Sequence, residues 1–287
     1  MSATITEPGT ELLRVENVVV DFPMRGWRKP DFRALHGVSL DIKAGETVGL
    51  VGESGSGKTT LGRAVLGLAT VASGSIKFDG VELVGTTTAQ RRAMGSQVQV
   101  VFQDPYTSLN PAMTIEDILS EPLVARGGLN RADARKRVRT LLEQVNLPSD
   151  AADRLPREFS GGQRQRVAIA RALALSPRLI VCDEPVSALD LSTQARVLDL
   201  FVDIQEQTGV AYLFVSHDLS VVRHVSHRVA VMYKGEIVEY GPCSKVTVEP
   251  DHPYTRKLLM AAPVPDPVRQ KARREQRREL ILAGEIN

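Results

Sequence analysis

Apolar positions fall along this chain in short runs, and the spacing of those runs changes twice. Residues 12–22 alternate in polarity and include Val18-Val19-Val20, which predicts a strand. A second strand is expected near 38–42, ending at the turn Lys43-Ala44-Gly45-Glu46, so the chain should open with a small antiparallel sheet. Thr47-Val48-Gly49-Leu50-Val51 is apolar without alternation, the pattern of a strand buried on both faces, and residues 61–68 follow as a helix. Residues 74–80 read as a strand closed by the turn Asp79-Gly80. Buried strands are expected at 98–102, 178–182 and 212–215, with a hairpin at 229–233 and 236–240 around Lys234-Gly235. From 106 to about 158 the period becomes helical. Thr114 with Asp117 marks one helix start, and Asn130 opens a second that carries Val138, Leu141, Leu142 and Val145 and is expected to stop at Pro148. The chain reads as α/β with a helical insertion.

The sharpest chemistry follows the fully apolar strand. Gly52-Glu53-Ser54-Gly55-Ser56-Gly57-Lys58-Thr59-Thr60 contains the phosphate-binding spacing G-x-x-x-x-G-K-[ST], between a strand and a helix as that motif requires. Glycines allow positive φ, so backbone N–H groups can point inward at phosphate oxygens, and the helix N-terminus adds partial positive charge. Lys58 can reach the β- and γ-phosphates, and Thr59 can place its hydroxyl on Mg²⁺. A ligand-free turn would need neither side chain.

Other candidates sit where predicted strands end. Gln103, after the strand at 98–102, can touch Mg²⁺ or the attacking water; a plain loop glutamine is the alternative. Asp183-Glu184 closes another strand: Asp183 can hold Mg²⁺ through its water shell, and Glu184 can orient or deprotonate the attacking water. His217 closes a third, in position to sense the γ-phosphate. Phe22 is the aromatic placed against adenine, where stacking gains about 1–3 kcal/mol by analogy with nucleic-acid binding. Trp27, Phe32 and a core role for Phe22 compete with that reading.

A second glycine-rich helix start is Phe159-Ser160-Gly161-Gly162-Gln163-Arg164-Gln165-Arg166, expected to run as a helix to Leu175. Ser160 and Gln163 suit a capping box, but each glycine costs about 1 kcal/mol against alanine. Close approach of the backbone to an anion would explain them.

Composition narrows the function classes. Lys and Arg total 36 against 34 Asp and Glu, a net charge of +2 in 287 residues, which argues against a general nucleic-acid binder. Cys182 and Cys243 form no ligand pattern, so no disulfide framework is expected and a reducing cytoplasm fits. No apolar run approaches the roughly 18 residues of a membrane span, and the polar, acidic start does not read as a signal peptide. Arg269, Lys271, Arg273, Arg274, Arg277 and Arg278 make a basic tail, read as a solvated face or as a contact for anionic lipid.

Taken together, Gly52-to-Thr59, Gln103, Ser160-Gly161-Gly162-Gln163, Asp183-Glu184, Asp190 and His217 occur in the order found in ATP-binding cassette (ABC) ATPases, and the chain resembles that family over about residues 11–260. Phe159 stands where the family's signature usually has leucine. The resemblance implies a RecA-like parallel core, an N-terminal antiparallel subdomain and a helical subdomain at about 106–165, within a cassette at 11–245. Residues 1–10 are expected to be disordered, and 246–287 to form a C-terminal extension. It implies ATP and Mg²⁺ as cofactors and a head-to-tail dimer with a second cassette, identical or paralogous. Each ATP would lie between Lys58 of one subunit and residues 160–163 of the other, with Asp190 among the nucleotide contacts.

A narrower resemblance, to dipeptide and oligopeptide importer ATPases, rests on Phe102-Gln103-Asp104-Pro105-Tyr106-Thr107-Ser108-Leu109-Asn110-Pro111 and on His252-Pro253-Tyr254-Thr255 with Leu258-Leu259 and Pro263; Ala112 stands where an arginine is common. It implies ATP hydrolysis at the cytoplasmic face of the cell membrane, driving import with two permease subunits and a solute-binding protein. Tyr106, Ser108 and Asn110 would lie near the permease's coupling helix. Some relatives carry a cysteine-bound iron–sulfur cluster in the extension; with Cys243 alone there, none is expected. Import of nickel, glutathione or short sugars, or soluble action on DNA or the ribosome, are the alternatives.

Overall fold

A computed structural model describes residues 9–24, 31–126 and 128–261. The expectations for residues 1–8, Trp27, Pro263 and the basic tail lie outside the described residues, as does the Tyr106 side chain.

In chain order the elements are β1 (Glu11–Phe22), β2 (Phe32–Lys43), β3 (Thr47–Val51), α1 (Lys58–Leu66), β4 (Ser73–Phe78), β5 (Val81–Glu82), α2 (Thr88–Met94) and β6 (Val98–Val101). Then come α3 (Pro105–Ser108), α4 (Ile115–Ala125), α5 (Arg131–Gln144), two 3₁₀ turns and α6 (Gly161–Leu173). The chain continues through β7 (Leu179–Asp183), α7 (Leu191–Thr208), β8 (Ala211–Ser216), α8 (Leu219–Val225), β9 (Arg228–Tyr233), β10 (Glu236–Pro242), α9 (Cys243–Val248) and α10 (Pro253–Ala261).

Among the described residues two sheets carry the fold. One is antiparallel, in the order β2-β1-β4-β5. The other runs β10-β9-β3-β8-β7-β6 and is parallel except for the β9–β10 hairpin at its edge. The antiparallel sheet packs on one face of the parallel one, in a core shared by Leu13, Ile42, Leu50, Leu61, Phe78 and Leu213. On the other face, α4 and α5 bury Leu119, Val138 and Leu142 in a core continuous with α6, α7, Ile180 and Phe214. The helical insertion is thus rooted in the main core.

Several boundaries differ from the sequence expectation. β2 starts at Phe32 and not near Val38, because it pairs along the length of β1 as far as Phe22↔Phe32. β6 is half-buried, not buried, since it is the edge strand, and Phe102 lies beyond it and is exposed. α5 stops before Pro148: Asn146 takes φ 53°, a left-handed conformation that ends a helix. α6 ends two residues before Leu175, at Leu173. The expected boundary at 246 falls inside α9.

Candidate nucleotide site

Parallel strands bring their carboxyl ends into one line. Val51 pairs with Ser216, Asp183 with Val215, and Val101 with Cys182. The residues after those ends are therefore neighbours: the loop from Gly52, then Gln103, Glu184 and His217. This edge is where ligands collect in open α/β sheets.

The loop from Gly52 to α1 is tightly held. Gly55 and Gly57 have φ of 79° and 104°, which a side chain would strain. A Cβ at Gly52 would collide with the Met232 carbonyl, and one at Gly57 would come 2.9 Å from the Ala34 carbonyl. Gly235 N–H donates to the Ser56 carbonyl at 2.9 Å, so the β9–β10 turn braces the loop from outside. Lys58 is only 4 % exposed; its Nζ donates to the carbonyls of Gly52 (2.8 Å) and Glu53 (2.9 Å). Burial pulls the Lys58 ammonium below its ordinary pKa, while the charges of Glu184, Asp183 and Glu53 oppose that shift. The buried Ser56 hydroxyl has no hydrogen-bond partner among the described residues. A desolvated cation and an orphaned hydroxyl in a glycine cradle fit a polyphosphate.

Thr59 Oγ1 donates to Asp183 Oδ1 at 2.9 Å. Burial raises the Asp183 carboxyl above its usual range, and the Thr59 hydrogen bond partly offsets that. These are hard oxygen donors. Among the described residues no cluster of three or more His, Cys, Asp or Glu gathers to cage a metal. Such a sparse set suits Mg²⁺, which keeps waters and takes further ligands from substrate phosphates.

Glu184 accepts or shares a proton with His217 Nδ1 across 3.0 Å, the carboxylate mostly buried and the imidazole half exposed. Glu184 has φ 48°, uncommon for a residue with a long side chain, and its N–H donates to the Val215 carbonyl at 3.0 Å. Backbone strain of this kind clusters at working sites. Gln103 is exposed past the edge strand.

The second glycine-rich start forms the capping box: Gln163 N–H donates to Ser160 Oγ and Ser160 N–H to Gln163 Oε1. Among the described residues no hydrogen bond joins residues 160–163 to the phosphate loop. Gly162 has a packing reason that sequence reasoning missed. A Cβ there would come under 3.0 Å from Thr193 Cγ2 on α7. Asp190 caps α7, its Oδ1 accepting from the Ser192 hydroxyl (2.7 Å) and from the N–H groups of Thr193 (3.0 Å) and Ser192 (3.1 Å), which together hold the carboxyl far below its usual range.

Phe22 and Phe32 face each other at the open end of the β1–β2 pair, 41 % and 55 % exposed. That excludes a core role for Phe22. Ala34, two residues from Phe32, touches the phosphate loop at Gly57, so this aromatic end lies beside the loop. Ser108 offers its carbonyl to Arg171, and Asn110 Oδ1 accepts from Ala112 N–H at 3.1 Å. Sequence reasoning also missed Tyr254, whose hydroxyl accepts from Glu53 N–H at 3.0 Å. The signal was the His252-Pro253-Tyr254-Thr255 run, read only as a mark of kinship.

Comparison with known proteins extends this picture. Residues 35–187 match the family described as ABC transporter, and residues 238–284 match the oligopeptide/dipeptide transporter C-terminal region. The chain is 51 % identical over 270 residues to the glutathione import ATP-binding protein GsiA of Shigella boydii, covering 93 % of this chain and 43 % of that protein. The corresponding protein of Pectobacterium atrosepticum is 47 % identical over 287 residues, covering 99 % and 45 %. The chain thus spans less than half the length of these curated relatives. Among solved structures, the dimeric ATP-binding cassette MJ0796 bound to ADP and Pi superposes with a TM-score of 0.73 at 31 % identity, covering 81 % of this chain and 99 % of that one. The cbiO1 subunit of the Clostridium perfringens transporter complex cbiONQ gives 0.74 at 28 %, covering 84 % and 92 %. The fold is that of an ABC ATPase cassette.

Proposed function

The chain belongs to the ABC transporter family, and we propose that it is the ATP-binding and ATP-hydrolysing subunit of an importer for short peptides. The observation that carries the ATPase reading is the pairing of Thr59 with Asp183 and of Glu184 with His217 beside the buried Lys58. Importer coupling is supported by the match of residues 238–284 to the oligopeptide/dipeptide transporter C-terminal region. The relatives' name favours glutathione, itself a tripeptide, as a specific case.

ATP with Mg²⁺ supplies a transferable phosphoryl group whose charge the metal helps to neutralise. Lys58 leaves the carbonyls of Gly52 and Glu53 for the phosphates, while the N–H groups of Gly55 and of residues 57–60 cradle them. Thr59, Asp183 and Gln103 are the residues that would hold the ion, Asp183 through its water shell. Glu184 takes the proton of the attacking water. His217, held on Glu184, senses the γ-phosphate. Phe22 stacks on adenine. Ser160, Gly161, Gly162 and Gln163 present the start of α6 to the ATP of a second cassette, and Asp190, which caps α7 through Oδ1, stands among the nucleotide contacts. Two permease subunits and a solute-binding protein complete the assembly at the cytoplasmic face of the membrane. No helix among the described residues is long and apolar enough to cross a bilayer.

The test is a pull-down of the tagged chain from detergent-solubilised membranes. Recovery of two multi-span subunits and a second ATPase supports the importer. Recovery of ribosome, DNA or soluble protein alone overturns it and leaves the ATPase chemistry standing. Uptake of labelled glutathione and of a dipeptide, lost in Lys58→Ala cells, then separates the solutes.

A further inference from the structure

We propose that Tyr254, in the segment that follows the nucleotide-binding core, is a positioning residue for the phosphate loop. The inference rests on reading residues 52–60 as the nucleotide site and adds a part from 201 positions away. Tyr254 lies at the start of α10 and is 8 % exposed. Its hydroxyl accepts the Glu53 N–H at 3.0 Å. The other side of the same residue faces inward: the Glu53 carbonyl accepts from Lys58 Nζ at 2.9 Å and from Ser56 N–H at 3.2 Å. Glu53 is therefore a pivot. Its outward N–H is fixed by Tyr254, and its carbonyl holds the lysine that must reach the phosphates. A loose Glu53 would let both peptide groups swing, and the loop would lose its preorganised shape.

The tyrosine is itself fixed. Its ring tilts against Tyr233 at a centroid distance of 4.3 Å, and Tyr233 closes the strand whose Met232 carbonyl abuts Gly52. Glu239 on β10 accepts from the N–H groups of Asp251 (2.9 Å) and His252 (3.1 Å), and His252 Nδ1 accepts from Tyr254 N–H at 3.2 Å. Lys245 pairs with Asp251 at 2.5 Å. Tyr254 also joins Val51, the last residue before the loop, in one apolar cluster with Val231 and Val246, against which Leu258 packs. Burial raises the Tyr254 phenol, so it stays protonated and uncharged at neutral pH. An uncharged hydroxyl is what a loop built for anions tolerates beside it.

Tyr254→Phe removes one oxygen and keeps the ring. Calorimetric titration of the full chain with Mg·ATP should show Kd weakened about 3- to 10-fold, the span of one hydrogen bond. In the assembled ATPase, KM for ATP should rise by the same factor while kcat falls less than twofold. A merely structural role would lower kcat through the loss of folded protein and leave KM unchanged. Tyr254→Ala, which also loses the ring, should shift KM in the same direction and lower the melting temperature as well. Kd and KM within twofold of the unmodified chain for Tyr254→Phe would overturn the inference alone. An unmodified chain that bound no nucleotide would overturn the reading of the loop and this inference with it.

Discussion

Replacing Gly162 with alanine separates two explanations for the glycine, packing and approach to an anion. The methyl would come under 3.0 Å from Thr193 Cγ2, a separation real Cβ atoms essentially never show. Carbon–carbon contact is favourable at about 3.5–4.0 Å, so α6 and α7 must part by on the order of 1 Å, or Thr193 must leave its rotamer. Overpacking of this kind costs about 1–3 kcal/mol, and the helix gain of alanine over glycine returns at most about 1 kcal/mol. So short a contact falls in the upper half of that range, and Gly162→Ala should therefore lose about 1–2 kcal/mol, a fall of roughly 2–8 °C in melting temperature at about 2–4 °C per kcal/mol. Thr193→Ser deletes the offending methyl. The remaining neighbours of the new Cβ would then be Thr193 Cβ at 3.7 Å and Oγ1 at 4.0 Å, ordinary contact distances. The double variant should recover the stability of Thr193→Ser alone, a coupling of about 1–3 kcal/mol by urea denaturation. A Gly162→Ala chain as stable as the parent, or no rescue by Thr193→Ser, would refute the packing argument. ATPase activity then reads the other explanation: a rescued fold that still fails to hydrolyse ATP would leave the glycine a role toward the partner's nucleotide.

Glu184→Gln should keep Mg·ATP binding while turnover falls about 100-fold or more, the scale of general-base loss; near-normal single-turnover rates would remove Glu184 as the base. Asp183→Asn keeps an oxygen for the Thr59 hydroxyl but deletes a carboxylate whose folded pKa is raised by burial. With a raised folded pKa, the group's favourable share is present at low pH and lost as pH rises through the folded value, so at pH 7 the charge is a cost. The variant should melt higher by calorimetry, lose magnesium-dependent turnover, and show its stability gain shrink on acidification; a lower melting temperature at pH 7 contradicts this. Arg228→Met breaks contacts to Asp41 (2.8 Å) and Glu46 (2.6 Å) that join β9 to the end of β2 and the turn after it. We expect a loss of about 2–3 kcal/mol in urea titration, because two partly buried carboxylates are left without their cation. The guanidinium holds the Asp41 carboxyl below its ordinary carboxylate range, so that stabilisation is complete above the unfolded value and disappears as pH falls through the folded one. The parent should lose this increment below about pH 4 and the variant should have none to lose.

The expectations that were met from sequence are those whose cause is local. A strand buried on both faces, as at Thr47–Val51, has nowhere to keep a polar residue, so its run of apolar side chains is legible directly. The caps Thr114, Asn130 and Ser160 are legible because each side chain bonds a backbone N–H three residues on. Asp79-Gly80 and Lys234-Gly235 are legible because both residues of each pair take positive φ, as a tight hairpin requires. The errors share a cause too. The length of β2, the half-burial of β6 and the end of α5 depend on which strand lies alongside or on one residue's backbone conformation, and neither leaves a period in the sequence.

The supports of the phosphate loop were hidden for the same reason, and they make a single pattern. The nine residues announce a nucleotide loop, but what holds them comes from far along the chain. Met232 blocks any side chain at Gly52, Gly235 bonds the carbonyl of Ser56, and Tyr254 bonds the N–H of Glu53. Gly235 in turn accepts from His36 N–H at 2.9 Å, which ties the same hairpin to β2, the strand that meets Gly57. The β9–β10 hairpin is thus a wedge between the antiparallel sheet and the loop, with α10 clamped behind it. A motif specifies which groups face the phosphates. Rigidity of the loop depends on contacts about 180 to 200 residues away in sequence, each a backbone or hydroxyl group with no spacing rule to reveal it. Substitutions in that hairpin, far from any nucleotide motif, should therefore act on nucleotide affinity before they act on the chemical step.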